Sequence, residues 1–165
     1  MRTTTNTTTD PERDDRMKKI VRSTLLAALA ASCSFAAFAQ ADLLASAKKE
    51  KGAVVTPSGL VFQALTVGKG AAPAATDVVK VHYRGTFADG REFDSSYKRN
   101  SPAEFPLNGV IKCWTEGVQL MKVGGKARLT CPAAIAYGER GAGGGMIPPN
   151  TPLQFEVELL DIAKR

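Results

Sequence analysis

Apolar and polar residues alternate along "VVKVHYRGTF", where Val79, Val81 and Tyr83 are separated by Lys80, His82 and Arg84. A period of two belongs to a strand with one buried face, which turns Tyr83 inward and His82 outward. Asp89-Gly90 is a tight-turn pair, and "REFDSS" after it returns as a second strand that aims Phe93 inward before an Asp/Ser loop. The same period recurs in "KARLTCP", where Ala127, Leu129 and Cys131 alternate with Lys126, Arg128 and Thr130. It recurs again in "LQFEVELL", where Phe155, Val157 and Leu159 alternate with Glu156 and Glu158. A further strand is predicted between Gly59 and Val67, closed by the Gly/Pro-rich "GKGAAPAAT". In "CWTEGVQLM" the period changes: Trp114, Val118 and Met121 recur at helical spacing, so one short amphipathic helix lies against the sheet. These elements predict an α+β domain, a curved antiparallel sheet of about five strands wrapped around one short helix.

The first forty residues follow different rules. "MRTTTNTTTDPERDDR" is Thr-rich and charged, with no apolar period to bury, and reads as a disordered or mis-annotated leader over 1–16. From Met17 the chain shows basic Lys18, Lys19 and Arg22, an apolar run from Leu25 to Phe38, then small residues at Ala37 and Ala39. That order is a secretory signal peptide over 17–39, with cleavage expected after Ala39 and the start codon at Met17. The apolar run falls short of the roughly 20 residues that span a bilayer, so no stable membrane insertion is expected after cleavage. The predicted address is the periplasm; lipid attachment at Cys33 on the outer membrane, or secretion, are the alternatives. Residues 40–57 form an N-terminal arm whose "ADLLASAKKEKG" is a short helical stretch stopped at Gly52. The folded domain occupies 58–165.

Charge and composition narrow the chemistry. The chain carries 22 Lys+Arg against 16 Asp+Glu; 6 and 4 of these precede Ala41, leaving 16 against 12 scattered without a basic run. No nucleic-acid partner is expected from that distribution. The single histidine, His82, sits on an outward strand position, which argues against a hydrolytic triad. One histidine and two distant mature cysteines match no metal spacing, so no metal and no cofactor are expected. "GERGAGGGM" lacks the Lys-Ser/Thr ending of a phosphate cradle and runs into Pro148-Pro149, so it reads as a surface loop. Cys113 and Cys131 offer one possible disulfide in an oxidising compartment, or two separate buried thiols.

What remains is a set of aromatics, Tyr83, Phe93, Phe105, Trp114, Tyr137 and Phe155, spread over strands, helix and loops. Each alone is most simply a core residue. Their surroundings, "VHYRGTFADGREFDSSYKRNSPAEFPL", "VIKCWTEGVQLMKVGGKARLTCP" and "AYGERGAGGGMIPPNTPLQFEVELLDI", resemble successive signatures of the FKBP-type peptidyl-prolyl cis/trans isomerases from Val78 to Ile162.

The resemblance implies an enzyme that speeds X-Pro rotation in unfolded or nascent exported polypeptides, with a holdase or proline-segment binding module as the alternative. By similarity, Trp114 forms the floor of a proline pocket and Tyr83, Phe93, Val110, Ile111 and Phe155 its walls, with Phe105 and Ile147 completing the substrate-binding set. Tyr137 resembles the tyrosine whose hydroxyl bonds a substrate carbonyl, and the backbone N–H of Ile111 is likened to a second ligand contact. Asp94 resembles the aspartate beside the pocket, with Arg99 as the basic partner that holds its loop; Tyr83, Phe93, Asp94 and Tyr137 are the catalytic set. Two positions depart from the pattern: Ala103 stands where many members carry phenylalanine, and the "GAGGGM" loop lacks a histidine. The first departure thins one pocket wall, and both bear on pocket width and ligand preference; the family's macrolide inhibitors are candidate ligands. The arm is too short for the long dimerisation helix of larger exported members, so a monomer is expected.

Overall fold

The structure is a computed structural model and describes residues 42–163. The expected leader, signal peptide, cleavage site and Cys33 lie outside the described residues. A helix over 42–49 (α1) is followed by β1 Ala53–Val55, β2 Val61–Thr66, β3 Val78–Thr86, β4 Glu92–Ser95, β5 Ala103–Pro106, α2 Lys112–Gln119, β6 Lys126–Cys131 and β7 Leu153–Ala163. The strands hydrogen-bond in the order β1-β2-β6-β7-β3-β4, and β5 also pairs with β3; every pairing is antiparallel. The α+β class is as expected, with seven strands rather than five. The additional two, β1 and β5, are three and four residues long, too short for an alternation to stand out in sequence.

The alternating strands bury the faces their patterns predict. Val79, Val81 and Tyr83 of β3 and Leu153, Phe155, Val157 and Leu159 of β7 form one core with Ala127, Leu129 and Cys131 of β6. Thr130 departs from expectation: it is buried as well, lying opposite Gln154, whose amide reaches its hydroxyl at 3.4 Å. Helix α2 covers this face with Cys113, Trp114, Gly117 and Val118. It sits close to β6, since a Cβ on Gly117 would come within 2.7 Å of a Leu129 methyl. Cys113, in the first turn of α2, is disulfide-bonded to Cys131 at the end of β6, 18 positions along the chain. On the opposite face, Arg128 reaches Glu50 at 2.8 Å and Glu156 at 3.3 Å, tying the end of the arm to the sheet. Gly52, at φ +80°, lets the chain turn from α1 into β1.

One glycine places an aromatic ring. Gly85 of β3 faces Asp94 of β4, and a Cβ there would lie 2.5 Å from Phe93 Cζ and 3.1 Å from Phe155 Cε1. The ring of Phe93 therefore crosses the strand where β3 has no side chain.

Two outcomes follow. Replacing both Cys113 and Cys131 with Ala should lower stability by about 2–4 kcal/mol, because the bridge closes a loop long enough to restrict the unfolded chain; urea unfolding monitored by circular dichroism checks it. Gly85→Ala should cost about 1–3 kcal/mol through overpacking against Phe93 and Phe155, read as a lower urea midpoint at an unchanged slope.

Candidate functional site

The covered face of the sheet is open at the N-terminal end of α2, where a cavity of about 330 Å³ remains. Six segments wall it. β3 contributes Tyr83, β4 contributes Phe93 and Asp94, and β5 contributes Phe105; Gly109, Val110 and Ile111 lead into α2, which supplies Trp114. Phe155 comes from β7, and Tyr137 from the turns that join β6 to β7.

Trp114 is the hub of the aromatic packing. Its ring stands edge-on to Tyr83 at 5.3 Å, to Phe105 at 5.7 Å and to Phe155 at 5.5 Å, and Phe93 meets Phe155 edge-on at 5.7 Å. Such pairs gain from the ring quadrupoles beyond the area they bury, so the arrangement fixes ring orientation as well as excluding water. Trp114 is 4% exposed and Tyr83 6%, so packing holds both rings at the cavity bottom.

A charged group closes one side. The Tyr83 hydroxyl donates to Asp94 Oδ2, Arg99 Nη1 donates to Asp94 Oδ1 at 2.5 Å, and Arg99 Nη2 donates to the Tyr83 oxygen at 2.8 Å. Burial alone would raise the Asp94 carboxyl, but the hydrogen bonds from Tyr83 and Arg99 outweigh it and hold the acid below its ordinary value. Burial first, and then the bond to Asp94, push the Tyr83 hydroxyl up. Tyr137 is raised by burial and by the Asp94 charge; it is 37% exposed, and its hydroxyl makes no hydrogen bond to another described residue. The Ile111 N–H stands at the N-cap of α2, where an amide has no partner within the helix.

Of the residues singled out from sequence, Tyr83, Phe93, Asp94, Phe105, Val110, Ile111, Trp114, Tyr137 and Phe155 come together here. Arg99 stands behind them, bonded to Tyr83 and Asp94. Ile147 does not line the cavity; it is buried in the core cluster and pairs with Ala142 to close the glycine-rich loop. Ala103 does not line it either. It lies opposite Val81, while Phe105, two residues along the same face of β5, supplies the wall. The short Ala103 side chain packs against the core cluster and leaves that part of β5 to Phe105.

Sequence reasoning missed Gly109 and Ser96. Ser96 is fully buried: its Oγ accepts the Tyr83 N–H at 2.8 Å and lies 2.9 Å from His82 Nδ1, and its own N–H donates to the Tyr83 carbonyl at 3.0 Å. No local signal marks it, because its partner, the Tyr83 backbone, lies 13 positions away on β3. His82 itself stacks on Tyr97 at 4.7 Å, away from the cavity.

Comparison with known proteins agrees with this geometry. Residues 69–160 match the family model described as FKBP-type peptidyl-prolyl cis-trans isomerase. The chain is 58% identical over 122 residues to the FKBP-type peptidyl-prolyl cis-trans isomerase FkpA of Aeromonas hydrophila, covering 74% of this chain and 44% of that one. It is 57% identical over 117 residues to the FKBP-type 22 kDa peptidyl-prolyl cis-trans isomerase of Escherichia coli K12, covering 71% and 56%. The chain thus spans about half the length of these relatives. Among solved structures, FkpA from Escherichia coli superposes with a TM-score of 0.73 at 42% identity, over 94% of this chain and 73% of that one. The isomerase from Pseudomonas syringae pv. tomato gives 0.72 at 38% identity, over 79% and 96%. On fold, cavity and sequence together, the chain belongs to the FKBP-type peptidyl-prolyl cis-trans isomerase family.

Proposed function

We propose that this protein accelerates cis/trans rotation about X-Pro bonds of unfolded exported polypeptides, and that Tyr83, Phe93, Asp94 and Tyr137 act on the bound peptide. The observation that carries this is the aromatic cavity floored by Trp114. Its size and flat aromatic surfaces suit a pyrrolidine ring. The targeting features read over 17–39 support a periplasmic address, and among the described residues no helix is long and apolar enough to cross a membrane.

Rotation needs no bond to be made or broken. Resonance holds the peptide planar behind a barrier of about 18–20 kcal/mol, and an X-Pro bond relaxes over tens to hundreds of seconds. The planar amide is more dipolar than the twisted one, so transfer into an apolar cavity disfavours the ground state. The Tyr137 hydroxyl and the Ile111 N–H, both without partners inside the described fold, are free to orient the peptide in a turned form and so to bind the twisted state better than the planar one. Asp94 serves through its charge and position: bound by Tyr83 and Arg99, it keeps one wall of the cavity in place.

An isomerisation assay on a short X-Pro peptide, with proline-limited refolding beside it, tests the reading. Tyr137→Phe should lower kcat/KM roughly 3- to 10-fold, the value of one neutral hydrogen bond of about 0.5–1.5 kcal/mol. Unchanged turnover would remove Tyr137 from the mechanism, and no acceleration by the wild type would overturn the enzyme itself. Activity should be flat between about pH 6 and 8, since the Asp94 carboxyl titrates below that window and the Tyr83 and Tyr137 hydroxyls above it. Stability should fall in acid. The depressed carboxyl of Asp94 contributes fully above its unfolded value, and that contribution is lost as pH drops through its lower folded value. Urea midpoints from pH 7 to 2 should show a shallower acid loss in Asp94→Asn than in the wild type.

A further inference from the structure

A second cavity, of about 230 Å³, lies at the opposite end of α2. Phe62 and Ala64 of β2, Val67, and Leu120 and Met121 just beyond α2 form its apolar walls. None of the residues of the aromatic cavity belongs to it. Its frame is preformed. Gly68 lies so close to the turn after α2 that a Cβ would come within 2.2 Å of the Lys122 carbonyl oxygen, and the Gly70 and Val123 N–H groups bond Val123 and Ala71 carbonyls at 3.0 Å each. Yet Val67 is 76% exposed and Leu120 50% exposed, an apolar pair left facing water on a rigid cleft. Covering such a pair with another apolar group is favourable.

The charged side chains that line the cleft are of one sign. Lys122 and Lys126 are among the residues lining it, and no carboxylate is. Lys126 leans toward Glu156 at 3.6 Å, whereas Lys122 makes no ion pair among the described residues. The two cavities are separated by the eight residues of α2, roughly 12 Å at about 1.5 Å per residue. An extended polypeptide covers about 3.3 Å per residue, so a segment about four to eight residues from a bound proline reaches across the helix.

We propose that the cleft at the C-terminal end of α2 is a second peptide-binding site, which takes an apolar, acid-bearing segment of the same unfolded polypeptide whose proline occupies the aromatic cavity. The link between the two cavities rests on the isomerase reading; the binding of the segment does not. Two sites engaged by one chain act at high effective concentration, so long clients gain affinity that short peptides do not.

Leu120→Glu and Lys122→Glu test this in the full chain, since neither residue touches the aromatic cavity. With a blocked X-Pro tetrapeptide, too short to span α2, both variants should keep wild-type kcat/KM, which also shows that they are folded. With a reduced, unfolded protein whose refolding is proline-limited, KM should rise about 5- to 10-fold, the avidity of the second contact being lost. Equal KM values for the wild type and both variants on the protein substrate would overturn the proposal, as would a parallel loss on the tetrapeptide in both variants. A fluorescein-labelled, proline-free Leu/Asp peptide gives a readout independent of isomerisation. Its anisotropy should rise with wild type and not with either variant, whether or not the protein isomerises prolines. Sedimentation showing that the wild type self-associates and Leu120→Glu does not would assign the face to a second copy and overturn the client reading.

Discussion

A single helix of eight residues cannot cover one face of a seven-stranded sheet. At about 1.5 Å per residue α2 is roughly 12 Å long, while the eleven residues of β7 extend roughly 36 Å at about 3.3 Å each. The apolar face that the alternating strands create is thus left bare at both ends of the helix. The disulfide from Cys113 to Cys131 and the close approach of Gly117 to Leu129 hold α2 over β6. With the helix held there, the bare ends are permanent features of the fold. At the N-terminal end, aromatic side chains line the gap; at the C-terminal end, Val67 and Leu120 rim it.

Aromatic rings suit this task because they enclose space without filling it. Edge-on contacts of Trp114 with Tyr83, Phe105 and Phe155 set the rings at close to right angles, so each supports its neighbour and none collapses into the gap. An enclosure of this kind still needs a wall at its polar side, where β4 leaves the sheet. There the charge of Asp94 is balanced by Arg99 and by the Tyr83 hydroxyl, and Ser96 pins the backbone of Tyr83 from behind. The ionised carboxylate keeps its partners, so it costs the apolar cavity little.

The longest strands were the most legible elements, because nine and eleven residues of β3 and β7 repeat the two-residue period enough times to stand out. β1 and β5 carried no such repeat and exist through their pairing with β2 and β3. Side-chain depth was harder to read than secondary structure. Thr130 follows the polar side of its pattern and is nonetheless buried. Ala103 and Phe105 share a face, so which of them reaches the cavity depends on where β5 ends beside β3; periodicity says nothing about that. Ile147, which the resemblance assigns to the site, bridges Ala142 and is buried in the core cluster. The remaining site residues lie on separate segments and meet only through the resemblance, whereas the sheet that holds them follows from the alternation of its strands.

Chemistry that works by enclosure has a consequence for selectivity. On the mechanism we propose, a cavity that acts through desolvation and two orienting hydrogen bonds would read little beyond the proline and its neighbouring carbonyl. Flanking residues of the client then meet only the protein's outer surface. Discrimination among polypeptides must come from contacts outside the cavity, and a short peptide carries too few residues to make them. The uncovered C-terminal end of α2 is an apolar surface with a defined shape, lined by Lys122 and Lys126 and by no carboxylate. The same shortage of helix that opens the aromatic cavity thereby leaves a second apolar surface, separate from the first, where the proposed contacts to a client would not touch the aromatic residues.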